Sequence, residues 1–186
     1  RAIARNGGFR MDTTRSDAEA RQKVWDMIHD IEVAMLVTSD AAGRLRARPM
    51  RAARLQEFDG TLWFFTRAPS PKTEELRDDD RVLLAYADPS HQNYVSVFGR
   101  ASVVRDAARQ RELWAEPMRA WFPKGAEDPE IGLIRVETEG AEYWDSPSAT
   151  IVHAYGYVKA LVSGEPPNIG DNDKVDLRRG NTGTAA

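Results

Sequence analysis

Apolar residues in this chain come in short runs bounded by turn signals, a pattern that strands satisfy and long helices do not. A run at 33–38 ends at Asp40-Ala41-Ala42-Gly43, and a second continues to Leu55. Phe58-Asp59-Gly60, a hairpin-type turn, leads into a third run at 61–66, so the three read as a β-meander. Residues 81–87 and 94–104 read as two further strands, with Gly99 placed for a bulge. Residues 131–136 and 142–144 read as a last hairpin across Thr138-Glu139-Gly140.

Helices are expected at the periphery. Ser16 and Glu19 have capping-box spacing, and Val24, Met27, Ile28 and Ile31 follow at helical intervals, which predicts a helix over 16–31. Ser70 and Pro71 suit the N-cap and first position of a short helix over 70–79. Residues 106–121 read as helical with Leu113, Trp114, Met118 and Trp121 on one face, and a further stripe from Ile151 ends at Gly164. The fold class is therefore mostly β (α+β), a small barrel of about six strands with peripheral helices. Residues 11–165 form the expected domain, 166–186 a polar, mobile tail, and the ten residues before Met11 an added leader.

The stretch at 44–54, RLRARPMRAAR, holds five arginines, yet the net charge of the whole chain is −3. The patch is local, so wrapping nucleic acid is disfavoured while a compact site for one small anion stays open. Alternation puts Arg44, Arg46, Arg48 and Met50 on one strand face and Leu45, Ala47, Pro49 and Arg51 on the other. Arg44, Arg46 and Arg54 read as an ordinary solvated face. Pro49 cannot donate to a ladder, so it belongs at a sheet edge or where a ligand completes the edge. Thr66, Ser70 and Lys72, around a helix N-terminus, have the chemistry to hold an anion, although a plain helix cap would look the same.

Several chemistries are excluded or unsupported. The chain has no cysteine, which removes disulfides, thiolate nucleophiles and zinc–thiolate sites. Its three histidines, His29, His91 and His153, lack ligand spacing, so no metal is expected. No G-x-G-x-x-G, P-loop or G-x-S-x-G motif is present. No apolar run is long enough to span a bilayer and no secretory leader is seen, so the expectation is a cytoplasmic protein with no membrane partner.

R-P-M at 48–50 and F-F-T-x-x-x-S-x-K at 64–72, followed in order by F-G-R-A-S-V-V at 98–104, W-F-P-K-G-A-E-D-P at 121–129 and A-E-Y-W-D at 141–145, resemble the FMN-binding split-barrel family of pyridoxamine 5′-phosphate oxidase-like proteins. The W-F-P-K-G segment resembles its bacterial general stress protein branch. The resemblance covers Arg21 to Leu177 and implies a six-stranded split β-barrel that forms a homodimer, with one FMN in each of two interface clefts. It implies that Arg48 and Lys72 hold the flavin phosphate, helped by Thr66 and Ser70. Pro49 and Met50 would lie along the isoalloxazine edge with Phe65 beside it, and Trp144 would approach from the partner subunit.

Three departures point away from pyridoxamine phosphate oxidation. Pro71 stands where the oxidases carry an arginine, Ala53 where they carry a lysine, and Ser146-Pro147-Ser148-Ala149-Thr150 where they carry a substrate-binding R-x-H element. The expected function is a flavin-binding general stress protein with FMN, or FAD, in a redox, storage or sensing role. An NAD(P)H-dependent flavin oxidoreductase or flavin reductase is the alternative enzyme, and an interaction module without flavin the alternative binder. No side chain stands out as catalytic, so any redox chemistry would be the flavin's.

Overall fold

The computed structural model describes residues 17–55, 57–145 and 171–178. Seven strands form one antiparallel sheet: β1 (Val33–Ser39), β2 (Leu45–Arg51), β3 (Thr61–Arg67), β4 (Arg81–Asp88), β5 (Asn93–Val104), β6 (Ile131–Asp145) and β7 (Asp171–Asp176). The path runs β2-β1-β4-β5-β6-β3, with β7 added on β6. The helices are α1 (Asp17–Ile31), α2 (Pro71–Asp78) and α3 (Ala107–Leu113), with a 3₁₀ turn at Glu116–Ala120. Among the described residues no helix is long and apolar enough to cross a membrane.

The mostly antiparallel α+β class is as expected, but the barrel differs in two respects. It has seven strands rather than six, and it is not closed. End strands β2 and β3 meet only at the Ala52–Phe64 bridge, beside which the Ala53 amide donates to the Trp63 carbonyl at 2.7 Å. The first three strands are therefore not a meander. β1 and β2 form a hairpin, while β3 crosses to the far end of the sheet and pairs with β6.

The expected hairpin at 131–144 is instead the single 15-residue strand β6. Its first half pairs with β3 and its second half with β7, while β5 runs along its other edge. Thr138-Glu139-Gly140 is a bulge and not a turn: Phe98 faces Gly140 and Gly99 faces Thr138, leaving Glu139 as the extra residue. The backbones approach closely here, since a Cβ on Gly99 would lie 2.1 Å from the Glu137 carbonyl oxygen. The seventh strand comes from the segment read as a polar tail. Its charged residues face water, while Val175 and Leu177 are buried and the Arg21 side chain of α1 donates to the Asp176 and Arg178 carbonyls.

α1 lies over the barrel interior, where Val24, Met27 and Ile28 join Leu36, Phe64 and Tyr143. Ser16 and the stripe at 151–164 lie outside the described residues. The predicted helix over 106–121 breaks after Leu113, because Pro117 lacks the amide that would reach the Leu113 carbonyl and its ring would collide there. Of its expected apolar face, Leu113, Trp114 and Met118 pack on the outer side of β3 and β6 with Phe65, Phe122 and Leu133, whereas Trp121 is left exposed.

Candidate functional site

β2 is a sheet edge, as Pro49 requires, and its alternation is as expected. Leu36 faces Arg48 and Ala34 faces Met50 across the hairpin, so Arg46, Arg48 and Met50 share the inner face with the buried residues of β1. Pro49 and Met50 consequently point to opposite sides, Pro49 exposed on the outer face and Met50 packed against the interior cluster.

Arg48 is the arginine that leaves the solvated row. Its guanidinium donates to the Thr38 hydroxyl and, at 2.6 Å, to Glu75 on α2. The Thr38 hydroxyl in turn donates to the same Glu75 oxygen, which closes a ring of three side chains. Thr38 is buried, and the side chains of Arg48 and Glu75 are 22% and 13% exposed. Arg44 and Arg46 instead clasp Asp40, and Arg51 and Arg54 clasp Glu32, all at the surface.

Lys72 lies one turn before Glu75 on α2, the spacing that puts two side chains on one helix face. Burial, followed by the positive charge of Arg48, lowers the Lys72 pKa below its ordinary 10.5, and Glu75 opposes the shift. Two cations and one carboxylate are thus close enough to act on one another. Among the described residues Lys72 has no ion-pair or hydrogen-bond partner. Ser70 is the N-cap of α2, and its amide donates to the Thr73 hydroxyl at 2.8 Å. Thr66 is buried at the end of β3, with its hydroxyl on the Arg67 carbonyl at 3.2 Å.

The structure therefore brings Arg48, Ser70 and Lys72 to the start of α2, and it adds Thr38 and Glu75, which were not singled out from sequence. The Lys72-x-x-Glu75 spacing was the available signal for Glu75. Two other residues stand apart. Phe65 turns its ring into the outer cluster against Trp114 and Phe122, leaving only its backbone toward the α2 side. Trp144 lies twelve residues beyond Gly132, the β6 partner of Thr66, and next to the buried Tyr143, so it projects from the outer face while Arg48 lies on the inner one. It sits half-exposed beside Tyr94.

Two cavities among the described residues lie away from this cluster. A groove of about 700 Å³ runs between α2 and β5, lined by Ala68, Leu76, Arg77, Ser102 and Arg105 among others. A small cavity of about 30 Å³ under α1 faces the Tyr86 hydroxyl, whose pKa burial pushes up. Neither is lined by Arg48 or Lys72. His91 is exposed and engages Asp88 at 2.6 Å in the turn before β5.

The family model described as pyridoxamine 5′-phosphate oxidase like matches residues 19–168. The chain belongs to this family. Among solved members of similar fold, the general stress FMN/FAD binding protein of Xanthomonas citri is 28% identical, with a TM-score of 0.63 over 71% of this chain and 92% of that one. A general stress family protein of Xanthomonas campestris pv. campestris is 27% identical, with a TM-score of 0.63 over 73% of this chain and 92% of that one. Protein bli-3 of Neurospora crassa is 28% identical over 145 residues, covering 73% of this chain and 69% of its own. Within this oxidase-like family the chain's solved neighbours are repeatedly general stress proteins.

Proposed function

We propose that this chain is a flavin-binding member of the oxidase-like family, taking FMN or FAD with the flavin phosphate between Arg48 and Lys72. The observation that carries the reading is the unpartnered Lys72, half-buried beside a second cation at the N-terminal turn of α2. Partial burial of two like charges is unfavourable on its own and becomes favourable when an anion with two or more acceptor oxygens joins them. Ser70 and Thr66 supply hydroxyls close to the same turn. The Xanthomonas citri relative, which is named as binding FMN or FAD, supports flavin as the source of that anion.

A second copy of the chain completes the site in this reading. The outer face of β2, β1, β4, β5 and β6 exposes Leu45, Met35, Leu83, Phe98, Tyr94 and Trp144, a clustering of large apolar side chains that suits an interface. Trp144 projects from the outer face of the sheet, opposite to the inner face that carries Arg48, so in this reading it serves a flavin held by the partner. When bound, the flavin supplies the electron or hydride chemistry. This chain's own residues bind its phosphate, fix its orientation and, through the second copy, cover its ring. Pyridoxamine phosphate oxidation is not part of the proposal, given Pro71, Ala53 and the sequence at 146–150.

The test is a titration of the purified protein with FMN and FAD, followed by flavin fluorescence. Quenching that saturates at micromolar flavin is the expected result. Unquenched fluorescence at every concentration would refute the reading.

A further inference from the structure

Glu75 has no part in the flavin site described above, yet it shares its two cations. It accepts from Arg48 at 2.6 Å and from the buried Thr38 hydroxyl, and it faces the same side of α2 as Lys72. Its neighbour Glu74, by contrast, is exposed to water. With Arg48 and Lys72 positive and Glu75 negative, an incoming phosphate meets one net positive charge instead of two.

From this geometry we infer that Glu75 is a specificity-determining residue of the anion site, which narrows the advantage of a phosphomonoester, with both charges on one phosphate, over a diphosphate with one charge on each. The inference rests on the flavin reading and deepens it, because FMN and FAD differ in this respect. FMN ends in a phosphomonoester whose second proton leaves near pH 6, so it is a dianion at pH 8. In FAD the phosphate next to the riboflavin is an ester on one side and a phosphoanhydride on the other; it carries a single charge, and the second charge lies on the neighbouring phosphate, farther from the flavin. Repulsion from Glu75 falls with distance, so it weighs more heavily on the monoester, both of whose charges sit on the held phosphate, than on FAD, one of whose charges lies a phosphate further away. A site with Arg48 and Lys72 alone would favour FMN strongly. Glu75 brings the two ligands closer in affinity, and it holds the Arg48 guanidinium in place while the site is vacant.

The test compares wild type with Glu75→Gln, which keeps size and hydrogen-bonding capacity but removes the charge. Glu74→Gln makes the same change of net charge outside the site. Dissociation constants for FMN, FAD and riboflavin are read at pH 8 by fluorescence quenching, with circular dichroism checking the fold. In Glu75→Gln the FMN constant is expected to fall by at least about threefold more than the FAD constant, with riboflavin unchanged. Glu74→Gln is expected to leave the FMN-to-FAD ratio as in wild type. Equal shifts for FMN and FAD, a matching shift for riboflavin, or the same effect from Glu74→Gln would overturn the role of Glu75 while leaving flavin binding intact. A wild type that binds no flavin overturns both readings together. If Glu75→Gln does not fold, Glu75→Met, of similar volume and uncharged, gives the same comparison.

Discussion

Arg48 and Glu75 are 27 residues apart in sequence and 2.6 Å apart in space, and their ion pair ties the edge strand β2 to helix α2. Both cover each other from solvent, and the buried Thr38 hydroxyl bonds to each. A pair held this way is costly to break from one side, because the remaining charge keeps its burial and loses its partner.

The two sides of that break are unequal. Glu75→Ala leaves Arg48 and Lys72 near each other without their shared carboxylate, whereas Arg48→Ala leaves Glu75 with Lys72 still nearby. Each single change is expected to cost about 1–3 kcal/mol, with Glu75→Ala the larger, and the double variant less than the sum. Urea unfolding of the three variants measures this. An Arg48→Ala loss equal to or greater than that of Glu75→Ala would contradict the placement of Lys72.

Lys72 should leave a mark on the pH dependence of stability. Its native pKa is lowered from 10.5, so between the native and the unfolded pKa the unfolded chain binds more protons. The penalty of holding the charged form is full below the native value and is relieved as pH rises toward 10.5, so stability gains from this group on going alkaline. Lys72→Met is expected to be at least as stable as wild type at pH 7 and to lose that alkaline gain. Thermal melts from pH 7 to 10.5 provide the measurement, and a parallel pair of curves would count against the shift.

For flavin the expectation reverses. Lys72→Met and Arg48→Ala each remove a charge-assisted contact to phosphate, worth roughly 1.5–3 kcal/mol, or about ten- to a hundredfold in the FMN dissociation constant. Riboflavin, without phosphate, should bind both variants as it binds wild type. FMN affinities unchanged in both would remove the phosphate from this position. A residue whose loss leaves stability intact but weakens one ligand is the expected signature of a binding site rather than a structural one.

Some of the geometry was legible from spacing, while the assignment of Arg48 and Lys72 to a phosphate came from the family resemblance. Pro49 marked a sheet edge, alternation separated Arg48 and Met50 from the outer row, and Ser70-Pro71 marked the start of α2. What escaped was contact between segments distant in the chain. Nothing local to Thr38 shows that it will lie under Arg48, and Glu75 looks like any surface glutamate until β2 is laid beside its helix. Phe65 was misleading for a related reason: consecutive strand residues point to opposite faces, so its ring follows Trp63 outward while Thr66 follows Phe64 inward. At 138–140, turn-forming residues marked a bulge, because a bulge and a turn both favour small residues and only the partner strand tells them apart.

That bulge gives a contrast between two glycines. A Cβ on Gly99 would meet the Glu137 carbonyl at 2.1 Å, a backbone atom in the middle of the sheet that cannot step aside. A Cβ on Gly140 would meet the tip of the half-exposed Phe98 ring at 2.6 Å, which can swing outward, and the Val175 carbonyl oxygen of the short strand β7 at 3.1 Å, which needs to give only a few tenths of an ångström. Gly99→Ala is therefore expected to cost about 3 kcal/mol or more, and Gly140→Ala clearly less, near 1 kcal/mol. Denaturant midpoints of the two variants rank them directly, and a Gly140→Ala loss equal to that of Gly99→Ala would show that β5 and β6 are packed differently at the bulge.

The outer sheet face makes the proposal of a second copy testable without any flavin. Leu83 sits at its centre, opposite Val37 on β1 and Phe98 on β5, and its side chain is already partly in water. Leu83→Lys therefore removes little from the core of a single chain, but it places a charge where the second copy would lie dry. Wild type is expected to sediment at twice the chain mass at tens of micromolar and Leu83→Lys at the chain mass, with the melting temperature of the isolated chain little altered. The variant should also lose most of its FMN affinity, since each flavin then lacks Trp144 from the other copy, while Arg48 and Lys72 remain to hold the phosphate weakly. A wild type that sediments as a single chain, or a Leu83→Lys variant that stays paired, would mean that this face is covered by something other than a second copy.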